Sequence, residues 1–125
     1  MKYYDIHTHR LPEVYDENIV SIYNTYPLEY DKYKMIDNPN LYFSVGIHPW
    51  YLDDIDRQYE TFIRVVRDSR VVAIGEAGLD KLCGTNIDFQ IDVFRKQIEI
   101  SIEINKPLII HCVKAWDELI ALYKE

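Results

Sequence analysis

Residues 71–80, Val71-Val72-Ala73-Ile74-Gly75-Glu76-Ala77-Gly78-Leu79-Asp80, set a short apolar, β-branched run directly against a carboxylate flanked by two glycines. The glycines let the backbone turn tightly and other groups approach. The scheme returns in Pro107-Leu108-Ile109-Ile110-His111-Cys112, with an imidazole where the first stretch has Glu76. Tyr3–His7, Asn18–Tyr23 and Leu41–Ile47 are runs of similar length, and with Val71–Gly75 and Pro107–Cys112 they predict five strands. Amphipathic or polar stretches separate them. That alternation is the one expected of βα units around a parallel sheet.

Parallel strands need crossovers. Tyr59, Phe62, Ile63 and Val66 recur at helical spacing and predict a helix over about Ile55–Ser69, which Asp53 or Asp54 can cap. A second helix is predicted over about Asp88–Ile104 from the Ile91, Phe94, Ile98 stripe, although Ile98, Ile100, Ile102 and Ile104 alternate as a strand would. Asn105 stops it. A third runs from Ala115 onward, with Trp116, Leu119, Ile120 and Tyr123 on one face. Between His9 and Leu41 the chain is Tyr-rich and broken by Pro12, Pro27 and Pro39, with room for one strand and one brief helix. Half-buried packing is expected of these tyrosines, a base-stacking platform being the alternative.

A chain of 125 residues that is 48% hydrophobic and 28% charged fits one soluble domain with a core, residues 1–125. Twenty-one acidic against fourteen basic residues give a net charge of -7, which disfavours long-range attraction of a polyanion. No stretch approaches the ~18 uninterrupted apolar residues of a membrane span, and the start Met-Lys-Tyr-Tyr-Asp-Ile-His has no apolar signal region. Cys83 and Cys112 form no C-x-x-C pair, so a disulfide framework is not expected and a cytoplasmic location is. A closed eight-unit barrel usually needs about 200 residues or more.

All four histidines sit at the end of an apolar run: His7 and His9 after the first, His48 after the third, His111 after the fifth. In a parallel α/β sheet these ends converge on one mouth, where ligands bind. His7-Thr8-His9 places two imidazoles on one face of an extended segment, suited to grip one cation, although a lone H-x-H is often incidental. Glu76, directly after a buried run, must be paired or bound to a metal; Lys81 and Arg10 are the candidate salt-bridge partners. Cys112 points away from His111 and is read as packing. Gly46-Ile47-His48-Pro49-Trp50 forms a rigid corner in which His48 is a metal ligand, a substrate or phosphate contact, or a structural residue; a substrate contact is the favoured reading.

Taken together, His-Thr-His near the start, Gly-Ile-His-Pro-Trp, Gly-Glu-Ala-Gly-Leu-Asp, Lys-Pro-Leu-Ile-Ile-His-Cys and the helix Ala115-Trp116-Asp117-Glu118-Leu119 resemble the TatD family of metal-dependent deoxyribonucleases. The resemblance implies an α/β, TIM-barrel-like metal-dependent hydrolase fold, here an incomplete barrel of about five parallel strands with helices on the outer face. It implies divalent ions (Mg, Zn or Mn), two in the complete site, held by His7, His9, Glu76 and His111. Glu76 and His48 are the residues it places at the chemistry, and DNA or a small phosphodiester is the implied substrate. An amidohydrolase acting on a cyclic amide or ester is the alternative enzyme, and a non-catalytic remnant the alternative outside enzymes.

Two departures from the family pattern stand out. The segment between His9 and Gly46 is short, which predicts a reduced or missing first helix. The later metal-binding histidine and the aspartate near the last strand of the family are not among these 125 residues, and Asp117 lies on a helix where it cannot replace the latter. Five strands of a barrel that closes with about eight leave Pro107–Cys112 as an apolar edge, so a homo-oligomer is expected.

Overall fold

The computed structural model describes residues 1–125. Its order is β1 (Tyr3–Thr8), β2 (Ile19–Thr25), α1 (Tyr30–Tyr33), β3 (Leu41–Val45), α2 (Ile55–Val65), β4 (Val71–Asp80), α3 (Ile87–Ile104), β5 (Leu108–Val113) and α4 (Trp116–Tyr123). The strands form one sheet in the order β1-β2-β3-β4-β5, each pair parallel. A sheet wound in one direction is an arc of a barrel, whereas a doubly wound sheet reverses its strand order. The fold is a half-barrel of five parallel strands with helices, as expected.

The helix periods explain which residues form the core. Phe62 and Val65 of α2 and Val93 and Ile100 of α3 are buried against Leu41, Phe43 and Val45 of β3 and Val71 and Ile74 of β4. A smaller cluster joins Ala77 and Leu79 of β4 to Phe94 of α3 and Leu122 of α4, with Cys112 packed on it. Ile102 is 74% exposed while Ile100 is 9% exposed, so the Ile98 to Ile104 alternation is overridden by the helical period. Asn86 caps α3 by accepting from the N–H groups of Asp88 and Phe89, and Asn105 ends it in the left-handed region at φ 55°.

The capping expected of Asp53 or Asp54 does not form. Asp54 stands at the N-cap with φ 52° and makes no side-chain capping bond. The Gln58 side chain instead donates to the carbonyls of Tyr51 and Asp53. Helix α2 also stops at Val65, short of Ser69, and the Lys106 ammonium donates to the carbonyls of Val66 and Asp68 just beyond it.

Strand β4 runs to Asp80, past its expected end at Gly75. Its pairing with β3 ends at Ile74, and its register with β5 shifts between Gly75 and Ala77, so Glu76 sits at a bulge. Gly46 allows this bulge to approach β3, because a Cβ there would stand 2.6–2.7 Å from backbone atoms of Gly75 and Glu76.

No helix lies between β1 and β2, as the short segment predicted. Strand β1 therefore lacks cover, and Tyr3, Tyr4 and Ile6 are all more than 60% exposed. At the opposite edge Ile110 of β5 is exposed. Only part of the Tyr-rich stretch packs: Tyr23 meets Tyr33 and Phe43 edge to face, and Tyr30 meets Phe43 in the same way, while Tyr3, Tyr4 and Tyr15 are exposed.

Candidate metal centre

Each site residue is delivered by a strand or the turn that leaves it. His7 lies in β1 and His9 just after it, His48 follows β3, Glu76 occupies the β4 bulge, and His111 lies in β5. Parallel register brings them to one end of the sheet, in two overlapping groups, His7-His9-Glu76 and His48-Glu76-His111, whose donor atoms lie within 4.8 Å of one another.

Glu76 is the shared member. Its Oε1 is 3.0 Å from His7 Nε2 and 3.9 Å from His9 Nε2, while Oε2 is 3.4 Å from His48 Nε2. Donor atoms around 2.0–2.1 Å from a tetrahedral ion stand about 3.3 Å apart, so the distances of His7 and His9 to Glu76 are compatible with a shared ion, and that of His7 equally with a hydrogen bond. Nδ1 of His7 is buried without a hydrogen-bond partner. Imidazoles with a carboxylate suit Zn, and the residues present fit a divalent ion. Lys81 pairs with Glu118 on α4, so it does not neutralise Glu76.

Neighbours fix Glu76 from behind. Its N–H donates to Asn24 Oδ1 at 3.0 Å, and Asn24, at the end of β2, also accepts from Ser44 Oγ. The bulge frees this N–H from the ladder, and the buried amide satisfies it.

His48 is 4% exposed. Its Nδ1 accepts from the Trp50 N–H at 3.1 Å, so in the neutral ring the hydrogen resides on Nε2, which faces Glu76. Burial, reinforced by the nearby His111 ring, pushes its pKa down to about 4 despite the pull of Glu76 and Asp80. The corner Pro49-Trp50 thus presents a neutral N–H donor, a poor metal ligand and a good partner for an anionic oxygen.

Asp80 is a site residue that the sequence reading left out. It is 3% exposed, and its Oδ2 accepts from Trp50 Nε1 at 2.7 Å and faces His111 Nε2 at 2.9 Å. Burial acts to raise its pKa, but the hydrogen bonds from Trp50, His111 and Leu82 outweigh it and hold the carboxyl below the usual range. Strand periodicity was the available signal: once β4 is carried to residue 80, Glu76 and Asp80 share a face. Helix α3 supplies two further hidden residues. Gln97 brackets Ile47, accepting from its N–H at 2.8 Å and donating to its carbonyl at 3.2 Å, and Gln90 does the same for Asp80. Cys112 faces the packing cluster, and Asp117 is exposed on α4.

Comparison with known proteins bears on the family and the fold. The family described as TatD related DNase matches residues 19–125. An uncharacterised metal-dependent hydrolase of Buchnera aphidicola is 36% identical over 89 residues, covering 70% of this chain and 34% of the relative. The human 3'-5' RNA nuclease TATDN2 is 32% identical over 83 residues, covering 64% of this chain and 11% of its own. The chain thus spans about a third or less of the length of these relatives. Among solved structures, the TatD homologue YJJV of Escherichia coli superposes with a TM-score of 0.67 at 24% identity, over 84% of this chain and 43% of that one, a likeness of fold. The family match begins at residue 19, beyond His7 and His9, so their place in the centre rests on their distance to Glu76. With the match covering most of the chain and the half-barrel carrying the strand-end histidines, the chain belongs to the TatD-related DNase family.

Proposed function

We propose that residues 1–125 form one partial barrel domain of a metal-dependent hydrolase that cleaves phosphodiester bonds in DNA or a smaller phosphodiester, with His7, His9, Glu76 and His111 as metal-holding residues. The observation that carries this is the convergence of His7 and His9 on Oε1 of Glu76, with a ring nitrogen of His111 within 4.8 Å of a Glu76 oxygen and no lysine or arginine offsetting the Glu76 charge. The family description and the human nuclease relative support a nucleic-acid substrate. The family pattern supports two ions, of Mg, Zn or Mn. When bound, such ions acidify water and neutralise charge on a phosphoryl oxygen.

The chain's own residues do the rest. Glu76 joins the two groups, so its position, set by Asn24, decides how both are spaced. His48 donates its Nε2–H to a phosphoryl oxygen brought beside Glu76, and the Trp50 N–H keeps that hydrogen on Nε2. Trp50 stacks edge-on against His48 and limits how that ring can turn. The net charge of -7 means that substrate is captured at the site itself and not steered from a distance.

Four protein ligands leave two ions under-coordinated, so these 125 residues should turn over a phosphodiester far more slowly than a full-length relative. We further propose a homo-oligomer that covers the exposed β1 and β5 edges, and a cytoplasmic location, which suits two free cysteines. No helix is long and apolar enough to cross a membrane.

Metal analysis after dialysis against Zn or Mn tests the centre. At least one equivalent is expected in the native chain and less in Glu76→Ala; equal occupancy would overturn the assignment. Rapid metal-dependent hydrolysis of a chromogenic phosphodiester, abolished by His111→Ala, would contradict the expected slow turnover. Light scattering coupled to size exclusion reads the oligomer, and a monomer with a cooperative melt would refute it.

A further inference from the structure

Asp80 is bonded on every side. Besides Trp50 Nε1 and His111 Nε2 on Oδ2, the Leu82 N–H donates to Oδ1 at 2.8 Å. Its backbone is held by Gln90, which accepts from the Asp80 N–H at 2.8 Å and donates to the Asp80 carbonyl at 3.0 Å. The Trp50 ring lies edge-on to His111 with centroids 5.7 Å apart, which limits how that imidazole can turn. A neutral imidazole has one N–H and one lone pair. Facing an acceptor-only carboxylate at 2.9 Å, Nε2 must carry the hydrogen, because the other tautomer sets lone pair against lone pair. The lone pair then resides on Nδ1, and a ring nitrogen of His111 is within 4.8 Å of donor atoms on Glu76 and His48.

We propose that Asp80 is a positioning residue that locks His111 in its Nε2–H tautomer, so that Nδ1 is the nitrogen offered to a divalent ion shared with Glu76. The inference rests on the metal-centre reading and adds to it the group that orients one ligand. Asp80 itself touches no ion. Partners of this kind orient a ligating histidine and raise its basicity, and their loss typically costs about 10–100-fold in metal affinity. Trp50 Nε1 and the Leu82 N–H keep the carboxylate from rotating away while Gln90 holds the Asp80 backbone, which ties together the β3 corner, β4, α3 and β5.

The tautomer is read on the metal-free 125-residue chain by long-range proton–nitrogen NMR of His111, assigned by the loss of its signals in His111→Asn. The native chain should show Nε2–H. In Asp80→Asn the side-chain amide can present a donor to His111, so the ring should move toward Nδ1–H, and Zn affinity, measured by chelator competition, should fall about 10–100-fold. Trp50→Phe removes the other donor to Oδ2 and should leave the tautomer unchanged. An Nδ1–H ring in the native chain would overturn the proposal, as would an affinity loss in Asp80→Asn without a tautomer change, which marks a merely structural role. An unchanged affinity and tautomer in Asp80→Asn would also overturn it. Should that variant not fold, the native and Trp50→Phe spectra decide by the same criterion. Failure of the native chain to bind Zn overturns the metal-centre reading, and with it the use assigned to Nδ1, while the spectra on metal-free protein still judge the Asp80 lock.

Discussion

The two oxygens of Glu76 look onto two different surroundings. Oε1 meets His7 and His9 from β1, an edge strand with no helix over it, and the His9 side chain is 57% exposed. Oε2 meets His48, 4% exposed, behind which stand Trp50, Asp80, His111 and the glutamines of α3. One half of the centre is therefore built into the core, and the other half hangs on a strand paired only with β2. The difference teaches where preorganisation comes from: not from the ligands, which are of the same kind on both sides, but from how many packed elements hold each one.

The sharpest break of this contrast is a core truncation set against an edge truncation. Phe43→Ala, on a fully buried residue under α2, should cost about 3–5 kcal/mol in urea unfolding. Tyr4→Ala on exposed β1 should stay within about 0.5 kcal/mol at protein concentrations low enough to keep the chain monomeric, because the proposed oligomer covers this edge. Similar losses at both positions would mean that the β1 edge is covered in solution.

Glu76→Gln keeps the shape and removes the charge shared by both halves. Zn affinity by titration calorimetry should drop at least about 100-fold, some 2.7 kcal/mol. A loss confined to a single class of site would show that the carboxylate serves one half only.

Gln97→Leu strips both polar partners from Ile47, the residue before His48, and should destabilise by about 1–3 kcal/mol through the buried N–H and carbonyl left unpaired. NMR signals of His48 should shift while those of His9 stay in place; the reverse would place α3 behind the wrong half.

The smallest effect belongs to the surface. Asp31 bonds Arg64 first and Lys34 second, which holds its pKa below the usual carboxylate value. A depressed folded-state pKa adds stability above the unfolded value, near pH 3.9, and that stability is lost as pH falls through the folded value. Asp31→Asn should therefore cost less than about 0.5 kcal/mol at neutral pH, with the gap to the native chain closing in acid. Thermal melts at pH 7 and pH 3 read it, and a gap that widens in acid would be inconsistent with this pairing.

The sequence by itself determined the order of strands and helices and which histidines and carboxylate stand at the strand ends. Each of these is carried by a local period or a short motif: the apolar runs, the stripe of Tyr59, Phe62 and Val66, His-Thr-His, and the Gly-flanked Glu76. Only the tertiary structure decided that β4 continues to Asp80, that Asn24 satisfies the Glu76 N–H at a bulge, and that Gln90 and Gln97 face inward. In a linear reading a glutamine on a helix looks like solvent-facing surface, and an aspartate two residues past a glycine looks like a turn. Their burial follows from where α3 docks and where the β3–β4 pairing ends, which leave backbone donors and acceptors in a dry interior that only a nearby polar side chain can satisfy.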